Sequence, residues 1–160
     1  FSLIGNSIHV GVARHFLEIA FSSINSSPPN DIRFVDLFCG IGGFHVALTG
    51  FGQCVLANDN NEDCQKVYQL NFPETPFLLG NINDKEIQQQ IIKTDFDLLC
   101  AGFPCQPYSK ANTSQNKKDT VISSLLEIIE QKRPNFLFLE NVPQLVKYPI
   151  WNEIKQKLEQ

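Results

Sequence analysis

From Arg33 onward, short apolar runs alternate with longer segments of helical periodicity. "RFVDLF", "QCVLAND", "PFLLGNI", "DFDLLCAG" and "NFLFLENV" have the length and residue types of buried strands. Helical patterns separate them: the segment after "CGIGG" to about Leu48, "NEDCQKVYQLNF", Asp84 to Lys93, and "TVISSLLEIIEQK"; "IWNEIKQKLEQ" starts another. Five strands spaced by helices do not read as hairpins. They predict parallel pairing with crossovers on both faces, an open, doubly wound, mostly parallel α/β sheet of Rossmann-like type. In such a sheet ligands bind beyond the carboxyl ends of the strands. The polar and special residues collect at those ends: Cys39 to Gly43, Asn58 to Asn60, Asn81 and Ile82, Gly102 to Ser109, and Glu140 to Val142.

Ahead of the alternation, "IHVGVARHFLEIAFSSI" (Ile8 to Ile24) spaces Val12, Phe16, Ile19 and Ala20 as the apolar face of an amphipathic helix. "SSINSSPPND" then has the composition of a linker. The expected organisation is a helix within residues 1–24, a linker at 25–31 and one α/β domain over 32–160. The 160 residues allow a substantial core. No apolar run reaches the length of a membrane span, and no signal-peptide pattern opens the chain. The chain starts at Phe1 and contains no methionine, so it is expected to be part of a longer gene product.

The net charge of −4 argues against a protein that grips nucleic acid alone through a broad basic face. Any such function must confine its basic surface or share it with something else. The five cysteines match no zinc spacing, and the three histidines suggest no shared metal, each reading as a helix-surface residue. No metal is expected, and the thiols read as free in a reducing cytosol.

Three stretches carry candidate chemistry. In "DLFCGIGGF", Gly40, Gly42 and Gly43 permit a tight turn and close approach of a ligand to the backbone. His45 takes the place of the last glycine of a dinucleotide fingerprint, which argues for a different nucleotide-like ligand. Asp59 ends the second strand, where an acid can accept ribose hydroxyls or cap the next helix. In "GFPCQPYSK", Pro104 and Pro107 stiffen the loop around Cys105, at the ligand edge of the sheet. Cys54, Cys64 and Cys100 sit in strand or helix patterns and read as small core residues. Cys105 reads as an accessible, held nucleophile. Glu140 in "LFLENV" is a half-buried strand-end carboxyl, able to keep and donate a proton or simply to cap a turn. Asn141 can orient either Cys105 or Glu140. Lys110, Lys117 and Lys118 form a small basic patch suited to phosphates, or a solvated loop.

Taken together and in this order, "DLFCGIGG", "GFPCQPYS" and "LENV" resemble the cytosine-C5 DNA methyltransferases, from about Arg33 to the end of the chain. The resemblance implies a role for each matching position. Cys105 corresponds to the thiolate that adds to C6 of a cytosine flipped out of double-stranded DNA. Glu140 corresponds to the acid at N3. The implied cofactor is S-adenosyl-L-methionine, leaving as S-adenosyl-L-homocysteine. Phe38, Gly40, Ile41, Gly42 and Gly43 match the cofactor loop, Asp59 the ribose acid, and Asn60 and Ile82 the residues flanking adenine; Pro104 and Val121 join that set. Three positions depart from the usual pattern: Asn81 stands where an Asp is common, Val121 where a Leu is, and Asn112 where a loop glycine is.

The order of the pieces departs further. "LIGNSIHVGVARHFLEIA" resembles the family's last motif, placed first, so that Asn6 and Ser7 would contact the cofactor. This suggests circular permutation. The arginine-containing strand, the target-recognition domain and the motif supporting it are missing as one block. The implied protein is the catalytic half of the enzyme, in a bacterial or phage cytoplasm, with the recognition block expected on a second polypeptide or else on a further part of the same one. A tRNA cytosine-5 methyltransferase of the same family and a non-catalytic cofactor-binding module are the alternatives.

Overall fold

The computed structural model describes residues 7–24, 31–104 and 120–159. Helix α1 (Val10–Ile24) precedes a sheet of β1 (Ile32–Leu37), β2 (Gly52–Asp59), β3 (Phe77–Leu79), β4 (Leu98–Gly102) and β5 (Phe136–Glu140). The intervening helices are α2 (Gly43–Ala47), α3 (Glu62–Asn71), α4 (Lys85–Lys93) and α5 (Thr120–Lys132). A 3-10 turn (Pro143–Lys147) and α6 (Pro149–Leu158) follow. Strand order is β3-β2-β1-β4-β5, and every pair is parallel. The chain steps outward from β1 to β3, then returns to the other side of β1. That reversal opens a crevice beyond the carboxyl ends of β1 and β4.

Both faces of the sheet are covered, and β4, LLCAG, accordingly reads as a continuous apolar run. Val35, Leu37, Leu99 and Ala101 pack with Ile87 and Ile91 of α4 and Ile122, Leu125 and Ile128 of α5. On the other face Phe34, Leu98 and Cys100 pack with Ala13, Leu17 and Phe21 of α1 and Phe44 and Ala47 of α2. Phe34 pairs with Cys54 but Val35 with Leu56, so Val55 is an extra residue in β2. This one-residue bulge lets Val55 and Leu56 both pack into the α4–α5 layer.

Helix α1 corrects one sequence expectation. The face it buries is Ala13, Leu17 and Phe21, while Val12, Phe16 and Ile19 are 51%, 57% and 54% exposed and Ala20 is exposed too. Spacing alone permits two apolar stripes on this helix, and contacts select one. Phe21 meets the rings of Phe51 and Phe136 at 5.5 and 6.0 Å. Arg14 donates to the carbonyls of Ala47 and Thr49 at 3.3 and 2.8 Å, fixing the polar flank over the end of α2. The Val12 stripe is left on the flank opposite Arg14. Residues 25–30 of the expected linker lie outside the described residues. No helix among the described residues is long and apolar enough to cross a membrane.

Candidate active site at the strand ends

The turn after β1 is built from left-handed backbone. Phe38 has φ 56°, Gly40 55° and Gly42 96°. For a phenylalanine this conformation costs on the order of 1–3 kcal/mol and persists only where the surroundings enforce it. The end of β2 does so: Cys39 N–H donates to the Asn58 carbonyl at 3.0 Å, and Gly40 N–H donates to Asp59 Oδ2 at 2.9 Å. A side chain at Gly42 would strike the Phe72 ring and crowd Tyr68. Phe72 stacks on His45 with ring centres 3.8 Å apart, and His45 Nδ1 lies 2.8 Å from the Tyr68 hydroxyl. His45 is therefore half-buried in an aromatic nest, not on a helix surface as its sequence context suggests; burial pulls its pKa down. Gly43 is crowded by Ile8 and by Ser7 Oγ, so the segment before α1 rests directly on the glycine turn.

Asp59 holds two elements. Its Oδ2 accepts from Gly40 and its Oδ1 from Asn61 N–H at 3.0 Å. The cap of α3 is Asn61, whose Oδ1 accepts from Asp63 N–H at 2.8 Å and more weakly from Cys64 N–H at 3.4 Å. Of the two roles sequence left open for Asp59, capping thus belongs to its neighbour. Each carboxylate oxygen still has a second lone pair for a hydroxyl. Asn58, 1% exposed, donates through Nδ2 to the carbonyls of Leu78 and Gly80 and ties β2 to the end of β3. Asn81 Oδ1 accepts from Asn83 N–H at 2.9 Å, which fixes the orientation of its amide.

On the other side of the crevice, β4 and β5 bring two motifs together. Gly102 pairs in register with Glu140. A side chain at Gly102 would sit 3.4 Å from Glu140 Oε2, so the glycine leaves room for that carboxylate. Glu140 is solvent-reachable, yet the protein around it removes enough water to raise its pKa, which favours the protonated form. Asn141 Nδ2 donates to the Phe103 carbonyl at 2.7 Å, while its Oδ1 accepts from Val142 N–H at 2.8 Å. The asparagine beside the acid therefore clamps the main chain at Phe103, where "GFPCQPYSK" leaves β4.

These pieces enclose a cleft of about 480 Å³. Ser7, Phe38, Gly40, Asp59, Asn60, Asn81, Ile82, Pro104, Val121, Glu140 and Asn141 line it. Ile41, Gly42 and Gly43 do not; the two glycines shape the turn from behind. Cys105 and Asn6 lie outside the described residues, as do Asn112 and Lys110, Lys117 and Lys118. The wall also uses Ile8, Asn58, Asn61, Cys64, Gly80, Gly102, Phe103 and Val142. Asn58, Gly102, Phe103 and Val142 stand at strand ends in the sequence, which assigns them no role there. Ile8 and Cys64 carry no signal beyond helix periodicity. Cys39, Cys54, Cys64 and Cys100 are buried free thiols, and desolvation first of all raises their pKa, for Cys54 to about 12 and for Cys64 to about 11. All four are neutral at neutral pH, and of them only Cys64 also reaches the cleft wall. Among the described residues no three metal-capable side chains cluster.

The profile of C-5 cytosine-specific DNA methylases matches residues 32–160. The type II methyltransferase M.HhaI of Haemophilus parahaemolyticus is 36% identical over 129 residues, 78% of this chain and 38% of the relative. M.HpaII of Haemophilus parainfluenzae is 40% identical over 116 residues, 70% of this chain and 32% of the relative. The chain thus spans about a third of the length of these relatives. Among solved structures, a mutant of Spodoptera frugiperda DNMT2 superposes with a TM-score of 0.68 at 29% identity, covering 81% of this chain and 41% of that one. The chain belongs to the C-5 cytosine-specific DNA methylase family.

Proposed function

We propose that this chain is the cofactor-binding and catalytic part of an enzyme that methylates C5 of cytosine in DNA through a covalent Cys105–C6 adduct. The observation that carries the proposal is the cleft, where Asp59 and the glycine turn stand on one side and Glu140, Asn141 and Pro104 on the other. Its size and its mixture of carboxylate, amide and apolar walls suit a nucleoside with a charged tail. Phe38, Gly40, Asp59, Asn60, Asn81, Ile82, Val121 and Ser7 would hold S-adenosyl-L-methionine, which when bound supplies the methyl group that C5 takes up. Asp59 is suited to accept ribose hydroxyls with the lone pairs its backbone bonds leave. Cys105 follows Pro104 at the cleft edge. As thiolate it forms the bond to C6, while Glu140, whose proton affinity partial desolvation raises, hydrogen-bonds N3 as the acid and relieves the negative charge pushed into the ring. Loss of the C5 proton then breaks the Cys105–C6 bond and regenerates the thiolate. Asn141 sets the start of the loop that carries the nucleophile.

The same reading includes a second polypeptide that selects the target sequence and presents a flipped cytosine, in a bacterial restriction–modification setting in the cytoplasm. Two surfaces support a covering partner. Strand β5 ends the sheet with its outer edge unpaired among the described residues, and the Val12, Phe16 and Ile19 stripe is exposed. Each is about half exposed, so covering it is worth on the order of 1 kcal/mol. The helix at residues 10–24 would be the family's last motif moved to the front; Ser7 on the cleft wall and against Gly43 fits that placement.

The test is transfer of tritiated methyl from S-adenosyl-L-methionine to duplex DNA by the complete assembly. Cys105→Ser should lower the rate by roughly a thousandfold or more, and Glu140→Gln by about a hundredfold or more. Undiminished transfer by Cys105→Ser overturns the catalytic reading, and label in tRNA but not in duplex DNA moves the substrate to RNA.

A further inference from the structure

Gln88 is a polar residue in an apolar layer. It lies on α4, 3% exposed, beside Ile87 and Ile91 of the core. A position of this burial ordinarily takes an aliphatic side chain, and an amide is tolerated only where its polar atoms are bonded. Here both ends are used. Nε2 donates to the Ile82 carbonyl at 2.9 Å, and Oε1 accepts from Lys85 Nζ at 3.0 Å. The same ammonium lies 2.9 and 2.8 Å from the two carboxylate oxygens of Glu127 on α5. Helix α5 also contributes Val121 to the cleft that Ile82 lines. A continuous chain of bonds therefore runs from α5, through Lys85 and Gln88, to the main chain of one cleft wall.

We propose that Gln88 is a positioning residue for the nucleobase end of the cofactor, holding the Asn81–Ile82 turn through the Ile82 carbonyl. The proposal rests on the reading of the cleft as the cofactor site. Asn81 explains why this turn bears on recognition. The Asn83 N–H pins its amide with Oδ1 as acceptor and leaves that oxygen one free lone pair. An amino group on the base can donate to it, whereas a keto oxygen at the same place would be repelled. Discrimination between the two depends on where the turn holds Oδ1.

A purely structural Gln88 would lower stability without changing that discrimination, so the test compares two ligands. Dissociation constants for S-adenosylhomocysteine and S-inosylhomocysteine are measured by titration calorimetry on the wild-type chain, Gln88→Leu, Lys85→Met and the core control Ile91→Val. The wild type should prefer the adenosine compound. Gln88→Leu should weaken its binding about tenfold and bring the two ligands within about twofold of each other. Lys85→Met, an exposed change, should give an intermediate loss, and Ile91→Val should lose stability but keep the preference. Retained preference in Gln88→Leu overturns the proposal; if that variant does not fold, unchanged preference in Lys85→Met does so. A wild-type chain that binds neither ligand overturns the cofactor reading of the cleft as well.

Discussion

Asp36, one residue before the end of β1, has no exposed surface, and neither carboxyl oxygen has a well-formed hydrogen bond; the His45 backbone N–H is only a weak neighbour. Burial raises its pKa to about 8, the His45 backbone N–H pulling back a little and the Asp59 charge adding to the rise. Below about pH 4 the folded and unfolded chains both carry this proton. Between there and about pH 8 the unfolded chain releases it while the folded chain keeps it, so stability falls by about 1.4 kcal/mol per pH unit from this group alone. Asp36→Asn should remove that slope. In urea unfolding from pH 5 to 8, the variant's advantage over wild type should widen with pH; parallel lines would contradict the assignment. Gly42 gives a second prediction at this scale. Its φ of 96° and the ring of Phe72 behind it make Gly42→Ala costly, on the order of 1–3 kcal/mol. A thermal melt showing no loss would mean that the turn relaxes freely. The glycines were legible as a turn because only glycine reaches such backbone cheaply. The aromatic nest behind them was not, because Tyr68 and Phe72 lie 26 and 30 residues from Gly42 and nothing in the local pattern joins them.

At the level of elements, the strands were legible and the helix faces less so. The five parallel strands follow from alternation and length, and the short β3 was readable because "FLLGN" interrupts two helical patterns. Helix α1 shows the limit. Its two apolar stripes obey the same periodicity, and contacts distant in sequence, the rings of Phe51 and Phe136 among them, decide which is buried. The exposed stripe predicts a separable effect. Replacing Val12, Phe16 and Ile19 together with serine should leave the thermal melt of this chain nearly unchanged and weaken its capture of the proposed recognition polypeptide. A large loss of stability without loss of capture would mean that the stripe is core. Asn141 joins two elements that sequence listed separately. Its bond to the Phe103 carbonyl fixes the end of β4 to the end of β5, so Asn141→Ala should slow methyl transfer by the proposed assembly about tenfold or more. Activity at the wild-type level would show that the loop is placed by other contacts.

For the whole molecule, fold and site converge because a doubly wound sheet collects its functional residues at one edge. The cleft draws on the ends of all five strands, from Phe38 to Asn141, although these span more than a hundred residues of chain. Sequence order and separation were enough to identify the family, since the motifs sit at strand ends whose positions the sheet dictates. The packing that supports them, such as Asn58 beneath β3 and Gln88 beneath Ile82, depends on contacts between elements and left no trace in local periodicity. The central claim is that this cleft takes S-adenosyl-L-methionine. Calorimetric titration of S-adenosylhomocysteine into the wild-type chain and Asp59→Ala tests it most directly. One site per chain is expected, with loss of about tenfold or more in affinity when the Asp59 carboxylate is removed. Absence of binding, or binding indifferent to Asp59→Ala, would contradict it.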